Sequence, residues 1–490
     1  MLALLLGIEI TALFLGIKSF GNKNNHIDDI KLLDNKSNNL FAIMVKDSDG
    51  NYNEASTFPE GAYVLNETMS SCIDNNGSKI DNVLNYESGH VYTKTNKTVY
   101  CYLYFDKDNT VYAKVLDDYE SNNGVKKTTD ENGKEVYYYA GNVTNNNILL
   151  NNYCWKIVRT TETDGVKLIY NGVYSDNIKC NNTGTDVYLE SNGTKYNTND
   201  NSPAYVGYMY GTVYAYSSKA ASNFGTYYYG SDVTWNETTY TLSDAESLFS
   251  PTANKHYTCL STNTSCSNVY YIYYMNSAAS GGPYYMTLTN GKKIEDALDE
   301  MLNYNTTNSN IKKVIDNWYK NNMTNATEYL ENAIYCNNRN ISNLGGWNPN
   351  GGSLTTTLQF NDYKSSNYRL TCQDKEDQFT LKVDSGGTLS YGNNMLDYPV
   401  GLLTNKEASL AFGDTMINYL NNNTAYWLLS PNNFDTGNDK VSIVGNGNLR
   451  TNGVGNGSGV RPAVSLLTKV KLSGEGNGTV ESPYILAPLD

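Results

Sequence analysis

At 490 residues the chain is too long for one simple core and calls for two or three domains. Aromatic residues make up 12% of it, with 44 tyrosines, which argues against a disordered chain. A net charge of −14, with no cluster of Lys and Arg interleaved with aromatics, argues against a nucleic-acid partner and against a polybasic lipid contact. Tyr, Thr and Val favour strands while Asn and Gly favour turns, so the class expected is mainly β.

In chain order, residues 1–20 form an apolar run from Leu2 to Ile17, broken by Glu9 and Thr11. The run is shorter than the ~20 residues that span a bilayer, but Lys18 and Phe20 extend it. An uncleaved membrane anchor is the preferred reading and a removed signal peptide the alternative; both export the rest. Residues 21–38 read as a linker. Residues 39–107 read as a small β-module, with strands at Phe41-Ala-Ile-Met-Val, Tyr63-Val-Leu and Val99-Tyr-Cys-Tyr-Leu-Tyr-Phe. Residues 108–134 read as a second, polar linker ending in the turn Glu131-Asn-Gly-Lys, and 135–490 as one large domain. That domain opens on strands at Val136, Ile148, Cys154 and Val166. Its interior carries a helical insertion, with helices at Lys293–Leu302 and Ile311–Asn321 and a short third one at Tyr329–Cys336. The apolar positions Ile311, Val314, Ile315 and Trp318 fall on one helix face.

Eight cysteines, Cys72, Cys101, Cys154, Cys180, Cys259, Cys266, Cys336 and Cys372, lack any Cys-x-x-Cys spacing. With only three histidines, a zinc site has little to build on. An exported chain oxidises such thiols, and sequential pairing is the simplest pattern, although spacing alone leaves connectivity open. Eight reduced thiols in a cytosolic protein are the alternative.

The C-terminal stretch from Tyr426 to Leu467 organises the large domain. Ser430-Pro431 is expected to end a strand beginning at Tyr426, because proline cannot donate to a ladder. Val441, Ile443 and Gly445 alternate as in a half-buried strand, and Asn446-Gly447 is a tight-turn dipeptide. Val460-Arg461-Pro462-Ala463-Val464 starts a last core strand. The candidate ligand-binding residues are Asn432, Asn433, Asp435, Asn438, Asp439, Asn446, Asn448, Arg450 and Asn452. The first five are oxygen-rich enough for a weak Ca²⁺ site or for an ordinary polar loop. No other cofactor is expected. Trp427 and Arg461 are assigned structural roles.

Several motifs carry a resemblance: Gly346-Trp-Asn-Pro-Asn-Gly-Gly, Leu370-Thr-Cys, Tyr398-Pro-Val-Gly-Leu-Leu-Thr-Asn-Lys-Glu, Tyr426-Trp-Leu-Leu-Ser-Pro and Gly459-Val-Arg-Pro-Ala-Val-Ser-Leu. Over roughly 39–490 the chain resembles an uncharacterised family of exported proteins from Gram-positive-type bacteria. The C-terminal Trp-x-x-Ser-Pro and Gly-Val-Arg-Pro motifs resemble those of C-type-lectin-like domains in the branch that includes formylglycine-generating enzymes. The resemblance implies an α+β, mainly β fold in which strands near Trp155–Val158 and Val460–Leu467 close the domain. Arg461 would then bond backbone carbonyls or a carboxylate in the core. The reactive cysteine pair of formylglycine-generating enzymes is missing, since no cysteine follows Cys372. The calcium motif of sugar-binding lectins is approached only by Trp347-Asn348-Pro349-Asn350, without carboxylates. No nucleophile elbow, Walker loop or His-Glu-x-x-His occurs. The reading is a non-enzymatic cell-surface binding protein for a glycan or protein ligand, held to the membrane by its N-terminal segment. A structural envelope protein and a diversified surface receptor are the alternatives.

Overall fold

Apolar alternation from Tyr100 to Lys107 puts Cys101, Leu103 and Phe105 on one buried face and leaves Tyr102 exposed. That strand is the spine of the first of two units, residues 1–123 and 124–490, in a fold that is α+β and mainly β. The computed structural model describes residues 40–47, 50–59, 63–80, 84–87, 90–93, 99–189, 193–200, 202–214, 216–218, 233–235, 238–240, 256–259, 268–273, 284–289, 299–340, 353–355, 370–382, 391–413, 417–435 and 439–489.

In the first unit Leu84–Glu87 pairs separately with His90–Thr93, and the main sheet has strands β1 (Leu40–Lys46), β2 (Tyr52–Ala55), β3 (Tyr63–Leu65), β4 (Ser71–Ile73), β5 (Lys79–Ile80) and β6 (Tyr100–Lys107). They form one sheet in the order β2-β1-β6-β4-β5, with β3 also on β6 and only the β1–β6 pair parallel. Ile43, Phe58, Leu65, Val99, Leu103 and Phe105 make its core around the Cys72–Cys101 disulfide. The two cysteines are direct cross-strand partners. So small a core depends on its staple: the double Cys72→Ala, Cys101→Ala variant is expected to lose ~2–4 kcal/mol of stability. Amide hydrogen exchange at 100–107 measures this, and unchanged protection would show that the apolar core suffices alone.

The expected linker at 108–134 is instead structured. Helix α1 (Val111–Glu120) follows the N-cap Thr110, whose hydroxyl accepts from Ala113 N at 3.1 Å. Val111, Val115 and buried Asp118 fall on one face, and Asp118 bonds Asn123 Nδ2 at 2.8 Å and pairs with Lys114. The segment reads as a linker in sequence because its buried apolar residues are only Val111, Ala113 and Val115, set within a run of Asp, Lys and Tyr.

The second unit begins with β7 (Val125–Thr129), β8 (Glu135–Tyr139), β9 (Asn147–Leu150), β10 (Tyr153–Thr160) and β11 (Val166–Val173). Gly133 (φ 85°) and Asp164 (φ 62°) take the left-handed conformation in the turns expected at Glu131-Asn-Gly-Lys and Asp164-Gly165. Helix α2 (Asn310–Asn322) is capped by Ser309 and buries Ile311 and Ile315, with Val314 and Trp318 half-buried. Helix α3 (Asn405–Phe412) follows, then β12 (Tyr426–Asp435), β13 (Lys440–Gly445), β14 (Asn448–Gly453), β15 (Ala463–Leu466) and β16 (Tyr484–Ile485). The first sheet runs β15-β11-β10-β8-β7, with β9 on β10 and β16 on β9; the second runs Ser353–Thr355, β12, β13, β14. The start and end of the unit therefore meet as expected, but through β11: Ile169 pairs with Ala463 and Val166 with Leu466, while Trp155 lies one strand further in.

Four other expectations need correction. Tyr329–Cys336 is not a helix: a 3-10 turn ends at Tyr329, and Glu331 N then bonds Ser465 O, so pairing to β15 captures the chain. Pro431 does not end its strand, because it sits between two register shifts where a ladder donor is not required. β13 is buried on both faces rather than one, being central in its sheet beneath α3. β15 is not the last strand, since β16 follows it.

Cys154–Cys180 and Cys336–Cys372 are bonded in this unit, with Cα atoms 5.5 and 5.3 Å apart, as sequential pairing predicts. Cys266, the expected partner of Cys259, and residues 1–39 lie outside the described residues, as does most of the expected helix at 293–302. Among the described residues no helix is long and apolar enough to cross a membrane.

Candidate functional site: the C-terminal hairpin and its base

The base is built from large side chains that are fully buried. Tyr426, Trp427, Leu428 and Leu429 of β12 are all inaccessible to solvent. Trp427 donates from Nε1 to Thr194 O at 2.7 Å and meets the Tyr196 ring edge-on at 5.5 Å. Arg461, in the loop before β15, is also buried. It donates from Nε to Tyr170 O (2.9 Å), from Nη1 to Leu420 O (3.2 Å) and from Nη2 to Asn171 Oδ1 (3.0 Å), and its guanidinium lies 4.9 Å from the Tyr426 ring centre. Burial pushes the Tyr426 hydroxyl up to about 12 even though Arg461 pulls the other way. Arg461 thus ties β11, the Leu420 turn and β12 together, with two carbonyls and an amide oxygen as partners rather than a carboxylate.

Gly459 lies where the chain leaves the hairpin for Arg461. A Cβ there would stand 2.5 Å from the Tyr188 ring, so the close approach of backbone and ring requires glycine.

On this base stands the β13–β14 hairpin. Asn446 (φ 51°) and Gly447 (φ 72°) form its two-residue turn, with Gly445 paired to Asn448. Two successive positive φ values are what the right-handed twist of a hairpin demands, and Asn-Gly supplies them. Asn418 Nδ2 donates to Gly447 O at 3.3 Å and holds the turn from below. Asn446 and Arg450 are exposed, while Asn448 and Asn452 are half-buried. Asn452 Nδ2 donates to Ser458 Oγ at 3.1 Å and Asn456 Nδ2 to Asn452 Oδ1 at 3.0 Å, so Asn452 braces the loop that returns to the core.

The five oxygen-rich positions do not share one environment. Asp439 is fully buried, its Oδ2 accepting from Ser202 N at 3.1 Å, and Asn432 is buried in β12. Asn433 and Asp435 belong to β12 by backbone, with Ser353–Thr355 alongside, and their side chains, like all of Asn438, lie outside the described residues. Among the described residues no group of three or more His, Cys, Asp or Glu could hold a metal ion. Asp439 is therefore part of the scaffold, and among the described candidate side chains Asn446 and Arg450 are exposed, with Asn448 and Asn452 half-buried. No protein-family model matches the chain, and no curated protein and no solved structure is significantly similar to it.

What the sequence missed lies behind the hairpin. Helix α3 touches both sheets and is buried almost all round, at Asn405, Lys406, Glu407, Ala408, Leu410 and Ala411. Glu407 closes a capping box with Thr404 and receives Arg159 Nε and Lys167 Nζ, each at 2.8 Å. Burial acts to raise the Glu407 carboxyl, but Lys167 and Arg159 outweigh it and hold it down at about 2. A carboxylate so firmly ionised carries no proton at neutral pH and is no general acid. Arg339 and Asp377 form a second buried pair at 2.6 Å, with Arg339 Nη1 also donating to Met209 O. Here burial wins and the Asp377 carboxyl is raised. The Thr404-x-x-Glu407 spacing is a capping signature and was the available sequence signal for α3.

Proposed function

We propose that this chain is an exported surface protein that recognises a ligand through the β13–β14 hairpin and catalyses no reaction. The carrying observation is the contrast between the exposed Asn446 and Arg450 and the rigid, dry base of Trp427, Tyr426 and Arg461 beneath them. On a fixed backbone only the side chains remain to be ordered on binding, and amide and guanidinium groups pair with sugar hydroxyls or peptide groups alike. Three buried disulfides fit an oxidising compartment. Two features support a C-type-lectin-like domain: the closure of β11 on β15, and a separate second sheet that carries the hairpin. The N-terminal apolar run would hold the protein at the membrane, and weak Ca²⁺ binding by Asp435 and its neighbours remains part of the proposal.

The test is a screen of the full oxidised chain on glycan and surface-protein arrays, with and without a chelator. Saturable binding that falls at least about tenfold, or about 1.4 kcal/mol, in the Asn448→Ala, Arg450→Ala variant is the expected result. The hairpin assignment is overturned if every array ligand still binds after those changes, and binding indifferent to chelation removes the calcium.

A further inference from the structure

Four aromatic rings from three elements converge at the Asn151-Asn152 end of the first sheet. Trp318 of α2 lies 5.5 Å, between ring centres, from both Tyr153 of β10 and Tyr170 of β11. Tyr170 in turn lies 5.6 Å from both Trp155 and Tyr153. The four are not equally buried. Trp155 and Tyr170 are closed off from water, whereas Tyr153 and Trp318 are half-buried. Beside them Val173, the cross-strand partner of Tyr153, is 55% exposed.

The surroundings of this patch are amides. Asn151 (φ 53°) and Asn152 (φ 63°) form the β9–β10 turn, with Asn152 exposed. Asn322 Oδ1 accepts from the Tyr153 hydroxyl at 3.0 Å, and Asn322 Nδ2 donates to Trp318 O at 2.8 Å. Asn151 Nδ2 donates to Asn322 O, so the turn, the ring and the end of α2 form one hydrogen-bonded frame. Rings fixed from behind by other rings and from the side by hydrogen bonds keep their exposed parts in place without a ligand to order them.

We propose that this patch is a saccharide-binding platform that takes an N-acetylhexosamine unit. The C–H face of a pyranose carries slight positive charge and matches the negative face of an indole or phenol ring, the ring types that half-buried Trp318 and Tyr153 bring to this patch. The exposed valine offers an apolar seat for the acetamido methyl. The amide of Asn152 supplies both a donor and acceptor for a hydroxyl or acetamido group, as a neutral sugar requires. The proposal deepens the surface-recognition reading, and it uses none of the hairpin residues, so the two fail separately.

The experiment titrates the full oxidised chain calorimetrically with chitotetraose, and with cellotetraose as the same backbone lacking acetamido groups. Saturable binding of chitotetraose, at least about tenfold tighter than cellotetraose, is expected. Trp318→Ala should abolish it. Since that change also removes packing against Tyr170, Val173→Glu provides an exposed second variant, expected to weaken binding with an unchanged unfolding midpoint. The Asn448→Ala, Arg450→Ala variant should bind chitotetraose normally. No saturable binding, binding retained in Val173→Glu, or equal binding of both sugars overturns the proposal; loss only in the hairpin variant places the sugar at the hairpin instead.

Discussion

Glu407→Gln is expected to destabilise the second unit by about 3–5 kcal/mol, the cost of removing the carboxylate that two buried cations share, which leaves Arg159 its longer 3.6 Å contact to Glu162. The carboxylate is inaccessible to solvent and so are both cations it receives, with side chains 1–2% exposed. Lys167 has further partners in Ile334 O at 3.2 Å and the face of Tyr335, 4.9 Å from its ring centre. Those partners orient the ammonium but bring no full negative charge. Glutamine keeps the shape of the side chain and its one acceptor oxygen can still cap Thr404, which turns its NH2 toward the two cations, so the loss reports the charge together with that donor-against-donor contact. Urea denaturation of wild type and variant measures it, and an unchanged midpoint would mean that water reaches the cluster after all. The pH dependence has a definite sign. The folded Glu407 carboxyl, at about 2, lies below its ordinary 4.5, so unfolded chains bind more protons in between. Its stabilisation, about 3 kcal/mol on the usual conversion, is complete above pH ~4.5 and lost as pH falls toward ~2. Glu331 and Asp377 are raised by burial and push stability the other way on acidification. They are present in both proteins, so the gap between wild type and Glu407→Gln should close over that acid window.

Strands and turns were legible because each rests on local signals. The buried face of β6 shows in the alternation through Cys101, Leu103 and Phe105, and the β13–β14 turn in the Asn-Gly pair that takes two positive φ values. Cysteine order sufficed for three disulfides because each links segments adjacent in the chain. Failures came where a distant segment decided the outcome. Residues 330–336 carry enough apolar and helix-tolerant residues for a turn of helix, but Ser465 O captures Glu331 N from more than a hundred residues away. Pro431 stays inside β12 because bulges, set by the neighbouring strand, relieve the missing donor. The candidate site was legible in part for a related reason. Asn, Asp and Gly mark a loop equally well whether they face solvent or, like Asp439, fold back to bond the Ser202 backbone. Nothing local in β10 announces that Tyr153 remains half-buried against a tryptophan carried by a helix far along the chain.

Arg461→Met is expected to cost about 3–5 kcal/mol, since it takes a donor from three buried oxygens, at ~1–3 kcal/mol for each left unsatisfied, with Leu420 O keeping a second donor in the Tyr426 hydroxyl at 3.3 Å. Tyr170 O and Asn171 Oδ1 belong to adjacent residues of β11 and Leu420 O to a turn about 250 residues further on, so no short relaxation of the chain can satisfy all three. Arg461→Lys should recover only a fraction, because one ammonium cannot reproduce a planar fork aimed at three oxygens. A second readout separates charge from packing. Lys156, with Nζ 2.9 Å from Asn147 Oδ1, is pushed down to about 7, first by burial and then by the positive charge of Arg461. A depressed ammonium binds fewer protons folded than unfolded, so stability should rise with pH from about 7 toward the ordinary lysine value of 10.5. Removing Arg461 takes away the repulsion and leaves the burial, so the Lys156 titration, followed by NMR of its ε-carbon, should move upward in Arg461→Met and stay low in Arg461→Lys. If both variants were equally unstable but Lys156 titrated unchanged in each, Arg461 would hold the base through packing and hydrogen bonds alone, with its charge already screened.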